Sequence, residues 1–376
     1  MALGGSIPLA SGCFASRRRA RFDRARRMAL GGRSIPPGLR RERLFGNDRG
    51  RWVSDRAAII LAAGKSTRMM SGLPKVMHEV CGRPMLSYVL CACRLAGVDR
   101  IVVVVGHGRE GVVDSFGSEP DVVFVEQAEQ LGTGHAVMCC REALAGFNGS
   151  VLVIAGDMPL VKRVTLANLM EARERRGDAM SMATAVLEDP SGYGRIIRGA
   201  DGAIEAIVEQ RNCTDQQRSV REVNTSFYCF DSGQLFEALA KVQLNPESGE
   251  TYLTDVVSTL RRSGAGVSAE TSVTAEEGMG VNSRIDLAAV GRIMQDRIQE
   301  SLMEEGVTII DPDNTWIDAD VTIGKDSVIH PFTVIAAGAT IGEGCRIGPL
   351  AYVAAGETVP DQTAIGAATL AGAGAQ

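Results

Sequence analysis

The chain has 376 residues, of which 45% are hydrophobic and 23% are charged, and its formal net charge is −5. This length allows for about two domains with buried cores, and the composition is that of ordinary soluble globular proteins. The longest apolar runs, near residues 101–105 and 151–155, are far shorter than the roughly 20 residues that cross a bilayer. We therefore predict a soluble protein that does not span a membrane.

Charge is distributed unevenly along the chain. Residues 1–56 contain 14 Arg and 4 acidic residues, a net charge of +10, so residues 57–376 carry −15. An acidic body lacks the basic face that binds nucleic-acid phosphates, so we expect no nucleic-acid partner. Residues 1–56 show no sustained apolar periodicity, and we predict a disordered Arg-rich extension or a stretch upstream of a start near Trp52. A transit peptide is also possible, and an arm that binds nucleic acid is less favoured.

The cysteines indicate the compartment. Nine cysteines are scattered along the chain, and none has the Cys-x-x-Cys spacing of a zinc site. An odd number of cysteines in a chain without a signal peptide suggests reduced thiols. The cytoplasm is therefore the expected location.

The first apolar run leads into a small-residue turn that contains basic residues. Residues 57–60 are apolar, residues 61–69 read LAAGKSTRM, and Pro74 and Lys75 follow shortly after. At the end of a strand, backbone N–H groups and cations can converge on polyphosphate oxygens. This segment predicts a site for a nucleoside triphosphate.

The part of the chain after this turn alternates apolar runs with amphipathic segments. The runs are at 57–62, 101–105, 122–125 and 151–155, and the amphipathic segments are at 84–96, 109–116, 134–145 and 163–176. This alternation is typical of βαβ units around a buried, mainly parallel sheet, which binds ligands beyond the carboxyl ends of its strands. Gly64, His107 and Asp157 follow such runs. A carboxylate like that of Asp157, beside a polyphosphate, is a natural ligand for Mg²⁺.

The C-terminal part has a different period. Apolar residues at spacings of three or four predict a helix over 284–304; they are Leu287, Val290, Met294, Ile298 and Leu302. From there on, an aliphatic residue recurs at every sixth position, at Ile317, Ile323, Ile329, Ile335, Ile341, Ile347, Val353, Val359 and Ile365. A hexad repeat predicts a parallel β-helix, here of about three coils.

Nine motifs stand in the order found in one enzyme family. They are LAAGKSTRM at 61–69, LPK at 73–75, QAEQLGTGH at 127–135, GDMPL at 156–160, GYGRI at 192–196, VEQ at 208–210, VNT at 223–225, GETYLTD at 249–255 and GVNSR at 280–284. The chain resembles the N-acetylglucosamine-1-phosphate uridyltransferases over about residues 57–350. These bacterial enzymes are usually bifunctional, with a nucleotidyltransferase domain followed by a left-handed β-helix acetyltransferase.

The resemblance implies an α/β fold with a Rossmann-like nucleotidyltransferase domain and a mostly parallel sheet, followed by a short left-handed parallel β-helix. We expect a disordered extension at 1–56, the nucleotidyltransferase domain at 57–283, a linker helix at 284–316 and hexapeptide repeats at 317–376. Packing of such β-helices against each other implies a homotrimer.

The resemblance also implies roles for individual residues. Arg68, Lys75 and Asp157 would be catalytic, with the two cations on the triphosphate, and Asp157 and Asn282 would bind Mg²⁺. The nucleotide would contact Leu61, Ala62, Ala63, Gly64, Lys75, Gln127, Gly132 and Thr133. The sugar phosphate would contact Gly194, Glu209, Asn224, Tyr252, Thr254 and Asn282.

The residues themselves also permit plainer interpretations. Glycines on both sides of Thr133 would let the backbone approach a flat base, or they only shape a turn. His135 is expected to be structural, as a capping or packing residue. The plainer roles for four further residues are a solubilising cation for Lys75, a helix cap for Asp157, a turn residue for Asn282 and a solvated strand residue for Glu209.

The implied reaction is an in-line attack of N-acetylglucosamine-1-phosphate on the α-phosphorus of UTP, giving UDP-N-acetylglucosamine, a precursor of peptidoglycan, and pyrophosphate. Two rival functions remain open: another sugar-1-phosphate nucleotidyltransferase, and a non-catalytic regulatory subunit of the same architecture.

We expect no acetyltransferase activity. The region around residues 352–356, which read YVAAG, carries small residues where the family places an Arg before a Pro-Gly turn, and His330, which precedes Pro331, suits a turn.

Overall fold

A computed structural model of the chain describes residues 55–64, 67–246, 248–271, 273–366 and 370–371. The expected Arg-rich extension therefore lies outside the described residues, except for its last two positions. Among the described residues, no helix is long and apolar enough to cross a membrane.

The first part of the described chain alternates strands and helices. Its strands are β1 (Arg56–Leu61), β2 (Glu79–Val80), β3 (Arg83–Pro84), β4 (Arg100–Val105), β5 (Val122–Glu126), β6 (Ser150–Ala155), β7 (Met180–Val186), β8 (Arg195–Arg198), β9 (Ile204–Val208), β10 (Glu222–Asp231) and β11 (Val267–Thr271). Its helices are α1 (Met85–Leu95), α2 (Arg109–Phe116), α3 (Thr133–Cys139), α4 (Arg163–Arg176), α5 (Asp215–Arg218), α6 (Ser232–Leu239), α7 (Asp255–Arg262) and α8 (Arg284–Glu304). Short 3₁₀ segments occur at Thr67–Met69, Lys75–Met77 and Gln210–Asn212.

One large sheet organises this part, and it is mostly parallel as expected. Its order is β11-β7-β10-β6-β1-β4-β5, with the hairpin of β8 and β9 attached beside β10. Strand β1 is parallel to β4 and β6, whereas β10 is antiparallel to β6 and β7. The central strands are almost wholly aliphatic because both faces of the sheet are covered. Helices α1, α2 and α4 pack on one face, and α3, α6 and α7 pack on the other.

The predicted elements match the observed ones closely, with one difference in a helix. The four apolar runs are β1, β4, β5 and β6, and α2, α4 and α8 have the predicted bounds. Helix α3 ends at Cys139 instead of reaching residue 145, and turns follow it.

The C-terminal part is a stack of two-residue strands. They are β12 (Thr308–Ile309), β13 (Trp316–Ile317), β14 (Thr322–Ile323), β15 (Val328–Ile329), β16 (Val334–Ile335), β17 (Thr340–Ile341), β18 (Arg346–Ile347), β19 (Tyr352–Val353), β20 (Thr358–Val359), β21 (Ala364–Ile365) and β22 (Leu370–Ala371). They form three parallel sheets, β12-β15-β18-β21, β13-β16-β19-β22 and β14-β17-β20. All nine hexad aliphatics are buried inside, at most 7% exposed.

Two features of this stack were not predicted. The stack begins one strand earlier than predicted, with β12 and its Ile309. The spacing from Ile309 to Ile317 is eight residues instead of six, because the 3₁₀ segment Pro312–Asn314 lies between them. In addition, the third residue after each hexad aliphatic from Ile317 to Val359 has a positive φ, and this left-handed conformation turns the chain toward the next sheet. These corner residues are Asp320, Asp326, Phe332, Gly338, Gly344, Leu350, Gly356 and Gln362.

Helix α8 joins the sheet domain to the stack through buried amides. The side chain of Gln295, which is 1% exposed, donates to the carbonyl of Ile317 (2.6 Å) and accepts from its N–H (3.0 Å). Gln299 donates to the carbonyl of Thr315 (3.0 Å). These bonds satisfy backbone groups at the open edge of β13, which would otherwise be buried without partners.

Candidate active site

The phosphate turn leaves the sheet at the end of β1. Leu61 is the last residue of the strand, and the N–H of Ala62 still bonds to the carbonyl of Val104 (2.9 Å) in the neighbouring strand. Ala63 is buried, whereas Gly64 is exposed. The turn thus begins at the carboxyl edge of the sheet, where the sequence placed a ligand site.

Asp157 lies beside this turn because Gly156 allows a close approach. The Gly156 N–H donates to the carbonyl of Leu61 (2.9 Å). A side chain at position 156 would lie 3.1 Å from Val76 and 3.2 Å from Ile60. Glycine therefore lets the end of β6 close tightly against the end of β1, with the carboxylate next in sequence.

Four predicted residues meet at this edge. Lys75 forms an ion pair with Asp157, and both side chains are nearly buried, at 18% and 19% exposure. The Lys75 ammonium also donates to the side-chain oxygen of Asn282 (2.7 Å), and the Arg68 guanidinium donates to the same oxygen (3.0 Å). The fold thus gathers two cations, a carboxylate and an amide from distant parts of the sequence.

The backbone around Asn282 explains how it reaches Asp157. The Val281 N–H donates to the carbonyl of Asp157 (3.0 Å). Asn282 is then held by Asp286, whose carboxylate accepts from the N–H of Asn282 (3.0 Å) and of Ser283 (2.8 Å). Ser283 and Asp286 form a capping box at the start of α8. Burial alone would raise the pKa of Asp286, but these hydrogen bonds lower it overall.

Sequence reasoning missed Asp286, although its signal is visible. A Ser followed three residues later by an acidic residue, ahead of an apolar helical stripe, is a capping box pattern. The Ser283-x-x-Asp286 spacing overlaps the end of the GVNSR motif. It marks the carboxylate that orients the predicted metal ligand.

The donor atoms at this edge fit a hard divalent cation. The Lys75 ammonium contacts side-chain oxygens of both Asp157 and Asn282. These oxygens are therefore close enough together to bind one cation. Mg²⁺ prefers oxygen ligands and is commonly held by one or two carboxylates together with substrate phosphates. In the described ranges no group of three or more His, Cys, Asp and Glu gathers around a point. The donor set therefore suits a metal shared with a phosphorylated substrate.

Residues 127–135, which hold the predicted nucleotide contacts Gln127, Gly132 and Thr133, follow β5, and we call them the base-reading loop. Gln127 is 5% exposed, and its side-chain amide donates to the carbonyl of Gly132 (3.0 Å). A Cβ on Gly132 would lie 2.5 Å from the carbonyl oxygen of Thr251, and one on Gly134 would lie 2.9 Å from the Thr251 side chain. The structure thus supplies its own reason for both glycines, namely the close approach of another protein segment.

That segment connects the base-reading loop to the predicted sugar site. The Gly134 N–H donates to the carbonyl of Thr251, and the Thr251 N–H donates to the carbonyl of Leu131, both at 2.8 Å. The Thr133 hydroxyl accepts from the N–H of Leu253 (3.0 Å). The loops expected to hold the nucleotide and the sugar are therefore one hydrogen-bonded unit.

Gln130 is a further residue that sequence reasoning did not single out. Its side-chain amide donates to the carbonyl of Ala63 in the phosphate turn (2.5 Å). It thereby links the base-reading loop to the end of β1. Its place inside the QAEQLGTGH motif was the available signal.

Three predicted sugar residues converge on one point. A Cβ on Gly194 would lie 3.6 Å from the Cβ of Asn224 and 3.7 Å from a carboxylate oxygen of Glu209. Burial raises the pKa of the Glu209 carboxyl. The Asn224 amide donates to the hydroxyl of Tyr228 (2.7 Å) and accepts from the N–H of Ser226 (3.1 Å). The pairing register of β10 with β7 shifts between Asn224 and Tyr228, so the regular ladder is interrupted where Asn224 makes these bonds.

Two further predicted sugar residues stand at the start of α7, and the sixth, Asn282, lies at the edge beside Lys75. Thr254 is buried directly before the helix, and Tyr252 donates its hydroxyl to Ser248 (2.7 Å). The guanidinium of Arg211 lies 5.4 Å from the ring centroid of Tyr252 and bonds to its hydroxyl. Because Arg211 follows Glu209 by two residues, it bridges the two halves of the predicted sugar site. Its place directly after the VEQ motif was the only signal for it in the sequence.

The family model for MobA-like NTP transferase domains matches residues 58–263, more than half of the chain. The chain belongs to this family. A second model, of bacterial transferase hexapeptides (six repeats), matches residues 320–355 within the β-helix.

Curated relatives confirm the resemblance drawn from the motifs. The chain is 45% identical over 280 residues to the bifunctional protein GlmU of Clostridium acetobutylicum, covering 74% of this chain and 61% of that protein. It is 46% identical over 280 residues to GlmU of Geobacillus thermodenitrificans, with the same coverage. It is 46% identical over 275 residues to GlmU of Pelobacter propionicus, covering 73% and 60%. The chain thus spans 60% to 61% of the length of these relatives.

Replacing Asp286 by alanine should loosen the start of α8 together with Asn282. We expect the free energy of unfolding to fall by about 1 kcal/mol at neutral pH, the usual cost of a lost helix cap. Because the pKa of this carboxyl is lower in the folded than in the unfolded chain, its stabilisation is present at neutral pH. It is lost as the pH falls through the folded-state value.

Urea unfolding of wild type and Asp286→Ala, at neutral and at progressively more acidic pH, measures this effect. The difference between the two should shrink as the pH falls. Asp296→Ala is the matched control, since Asp296 is exposed on the same helix. A stability difference that is equally large in acid would contradict the capping role.

Proposed function

We propose that this chain transfers UMP from UTP to N-acetylglucosamine-1-phosphate, releasing pyrophosphate. The observation that carries this proposal is the meeting of Arg68, Lys75, Asp157 and Asn282 at the carboxyl edge of the sheet, in a chain of the NTP transferase family. The relatives named bifunctional GlmU support a sugar phosphate as the acceptor.

The chemistry needs positioning and charge neutralisation more than covalent help. The attacking sugar-phosphate oxygen is already an anion, so no general base is required. Lys75 and Arg68 would align the triphosphate for in-line displacement at the α-phosphorus. Asp157 and Asn282 would hold Mg²⁺, which supplies charge neutralisation for the departing pyrophosphate.

The specificity elements stand on either side of this centre. Gln127, from the base-reading loop, would hydrogen-bond the uracil edge. Glu209 and Asn224 would bind sugar hydroxyls and the N-acetyl group, and Gly194 offers a backbone N–H with no side chain in the way. Since Thr251 ties the base-reading loop to the sugar segment, the two substrates would be held at a defined mutual distance.

The product would enter cell-wall precursor synthesis, and we propose the cytoplasm as the place of reaction. The cysteines that the structure describes are all free thiols, in keeping with a reducing compartment.

The two rival functions differ in what they predict at the bench. Another sugar-1-phosphate nucleotidyltransferase would use a different nucleotide or sugar in the same cleft. A regulatory subunit would keep the architecture without turnover. The joint retention of two cations, a carboxylate and an amide at one point favours catalysis over a regulatory role.

Pyrophosphate release measures the proposed activity directly. With UTP, N-acetylglucosamine-1-phosphate and Mg²⁺ the wild type should turn over, and other nucleotide and sugar-phosphate pairs should be much poorer. Asp157→Ala should lower turnover by at least about a hundredfold, because it removes charge stabilisation of the leaving group. Asp114→Ala, at an exposed position of α2, is the control, and circular dichroism checks that each variant is folded. Undiminished turnover by Asp157→Ala would overturn the proposed role.

We further propose that the residues of this chain do not transfer acetyl groups. His330 is the only histidine after residue 135, and its backbone N–H bonds to Ile347 as part of the strand ladder. A thiol-release assay with acetyl-CoA and glucosamine-1-phosphate should show only background, in a preparation that releases pyrophosphate in the first assay. Release above background that depends on the sugar phosphate would refute this proposal.

The β-helix presents one apolar face, which we propose as the contact of a homotrimer. Trp316, Val334 and Tyr352 lie in register on the outside of one sheet, and Phe332 and Leu350 lie at its corner. These five side chains are between 37% and 65% exposed. A contiguous exposed apolar surface of this kind is typical of a protein interface.

A neighbouring face has the opposite character. Thr322, Thr340 and Thr358 stack in register on the sheet of β14, β17 and β20, and all three are exposed. This face suits water. It provides matched control positions on the same scaffold.

Light scattering at micromolar concentration should find the wild type as a trimer and the double variant Leu350→Asp, Tyr352→Asp as a monomer, because carboxylates are costly to bury at an interface. Thr340→Asp should remain trimeric. A monomeric wild type, or a double variant that still forms trimers, would contradict the assigned face.

A further inference from the structure

A chain of three side chains runs behind the base-reading loop. The Gln127 amide nitrogen lies 3.0 Å from the carbonyl oxygen of Gly132 and 3.1 Å from Nδ1 of His135. On the far side of the imidazole ring, Nε2 lies 3.8 Å from the sulfur of Cys139, one turn along α3. Gln127 itself is 5% exposed, so its amide is packed in place.

The chemistry of these groups fixes the direction of each hydrogen bond. A backbone carbonyl can only accept, so the Gln127 atom facing Gly132 must be the amide nitrogen. The same nitrogen faces His135, and Nδ1 therefore accepts its second hydrogen. The imidazole is then neutral with its proton on Nε2, which points toward the Cys139 sulfur, a weak acceptor.

This arrangement leaves the side-chain oxygen of Gln127 as the free end of the amide. Among the described residues, no hydrogen bond to that oxygen is found, whereas both hydrogens of the nitrogen are engaged. A flipped amide would place its oxygen against the Gly132 carbonyl, where two acceptors repel each other, and it would require the His135 proton to move from Nε2 to Nδ1. Gly132 and the Nε2-protonated form of His135 thus hold the oxygen outward.

An outward oxygen distinguishes the two pyrimidines. Uracil carries a hydrogen-bond donor at N3, whereas cytosine carries an acceptor there and a donor amine at C4. An acceptor facing the base edge accepts from uracil N3 and is opposed by the lone pair of cytosine N3. Discrimination by a fixed polar group is strong because a mismatched polar group is left unpaired.

We propose that His135 is a positioning residue for nucleotide selection: it holds the Gln127 amide so that its oxygen faces the base and favours uridine over cytidine nucleotides. The inference rests on the proposed function, in that the nucleotide must occupy this loop. It adds a role to the expected capping or packing one, since the described hydrogen bonds of the His135 ring are to the side chains of Gln127 and Cys139.

Competitive binding of UTP and CTP to the full chain, without sugar phosphate, tests this role. His135→Leu keeps the bulk but removes the acceptor, and His135→Asn offers an amide oxygen near the place of Nδ1. We expect His135→Leu to lower the ratio of UTP to CTP affinity by about tenfold, the effect of one hydrogen bond to a fixed group. His135→Asn should restore most of the ratio. Met138→Leu, a volume-conserving change on the same helix, should leave it unchanged.

The outcomes separate this inference from the proposed function. If His135→Leu weakens UTP and CTP equally, or changes neither, His135 does not select the base and the inference is wrong. A wild type that prefers UTP, loses that preference in His135→Leu and yet fails to turn over N-acetylglucosamine-1-phosphate would uphold the inference and overturn the proposed function. A wild type without preference between UTP and CTP would overturn both.

Discussion

The predicted active site depends on one cluster of charged and polar groups, in which the Lys75 ammonium contacts side-chain oxygens of Asp157 and Asn282. Two cations and one carboxylate at this edge leave a positive balance that suits a polyphosphate. The sheet brings Asp157 there, since parallel strands end at a common edge. Asn282 arrives from the other direction, held by the Asp286 cap and by the backbone bond from Val281 to Asp157. The groups that would bind a cation here are thus positioned by two elements: the sheet places Asp157, and the start of α8 places Asn282.

The segments around this point are joined by backbone hydrogen bonds and by bonds between side chains and backbone. The backbone of Thr251 exchanges bonds with Leu131 and Gly134, and the Gln130 side chain donates to the carbonyl of Ala63. Because each of these bonds involves the main chain of a second segment, the segments expected to bind base, phosphate and sugar form one connected frame. Preorganised frames of this kind suit a reaction that is accelerated by alignment.

Helix α8 connects this frame to the β-helix. Its first residue follows the N-cap Ser283, which comes directly after Asn282, and its middle holds Gln295, whose amide completes the edge of the first coil. An ion pair between Arg83 and Asp320 (2.9 Å) adds a second link between the sheet domain and the stack. The same helix therefore carries a predicted metal ligand at one end and anchors the repeats along its length.

The sequence by itself determined whatever depends on period and local order: the buried strands, α8, the hexad stack and the residue types of the predicted site. Only the tertiary structure decided what depends on distant segments. It showed that Gly132 makes room for Thr251, that Phe332 turns a left-handed corner without being glycine, and that Ile309 belongs to the stack although it is out of register. The physical reason is that periodicity records which side of an element is buried, whereas close approach between elements leaves no regular mark in sequence. His135 and Gln127 are near in sequence, yet the direction of their hydrogen bond follows from the carbonyl that folding brings beside them.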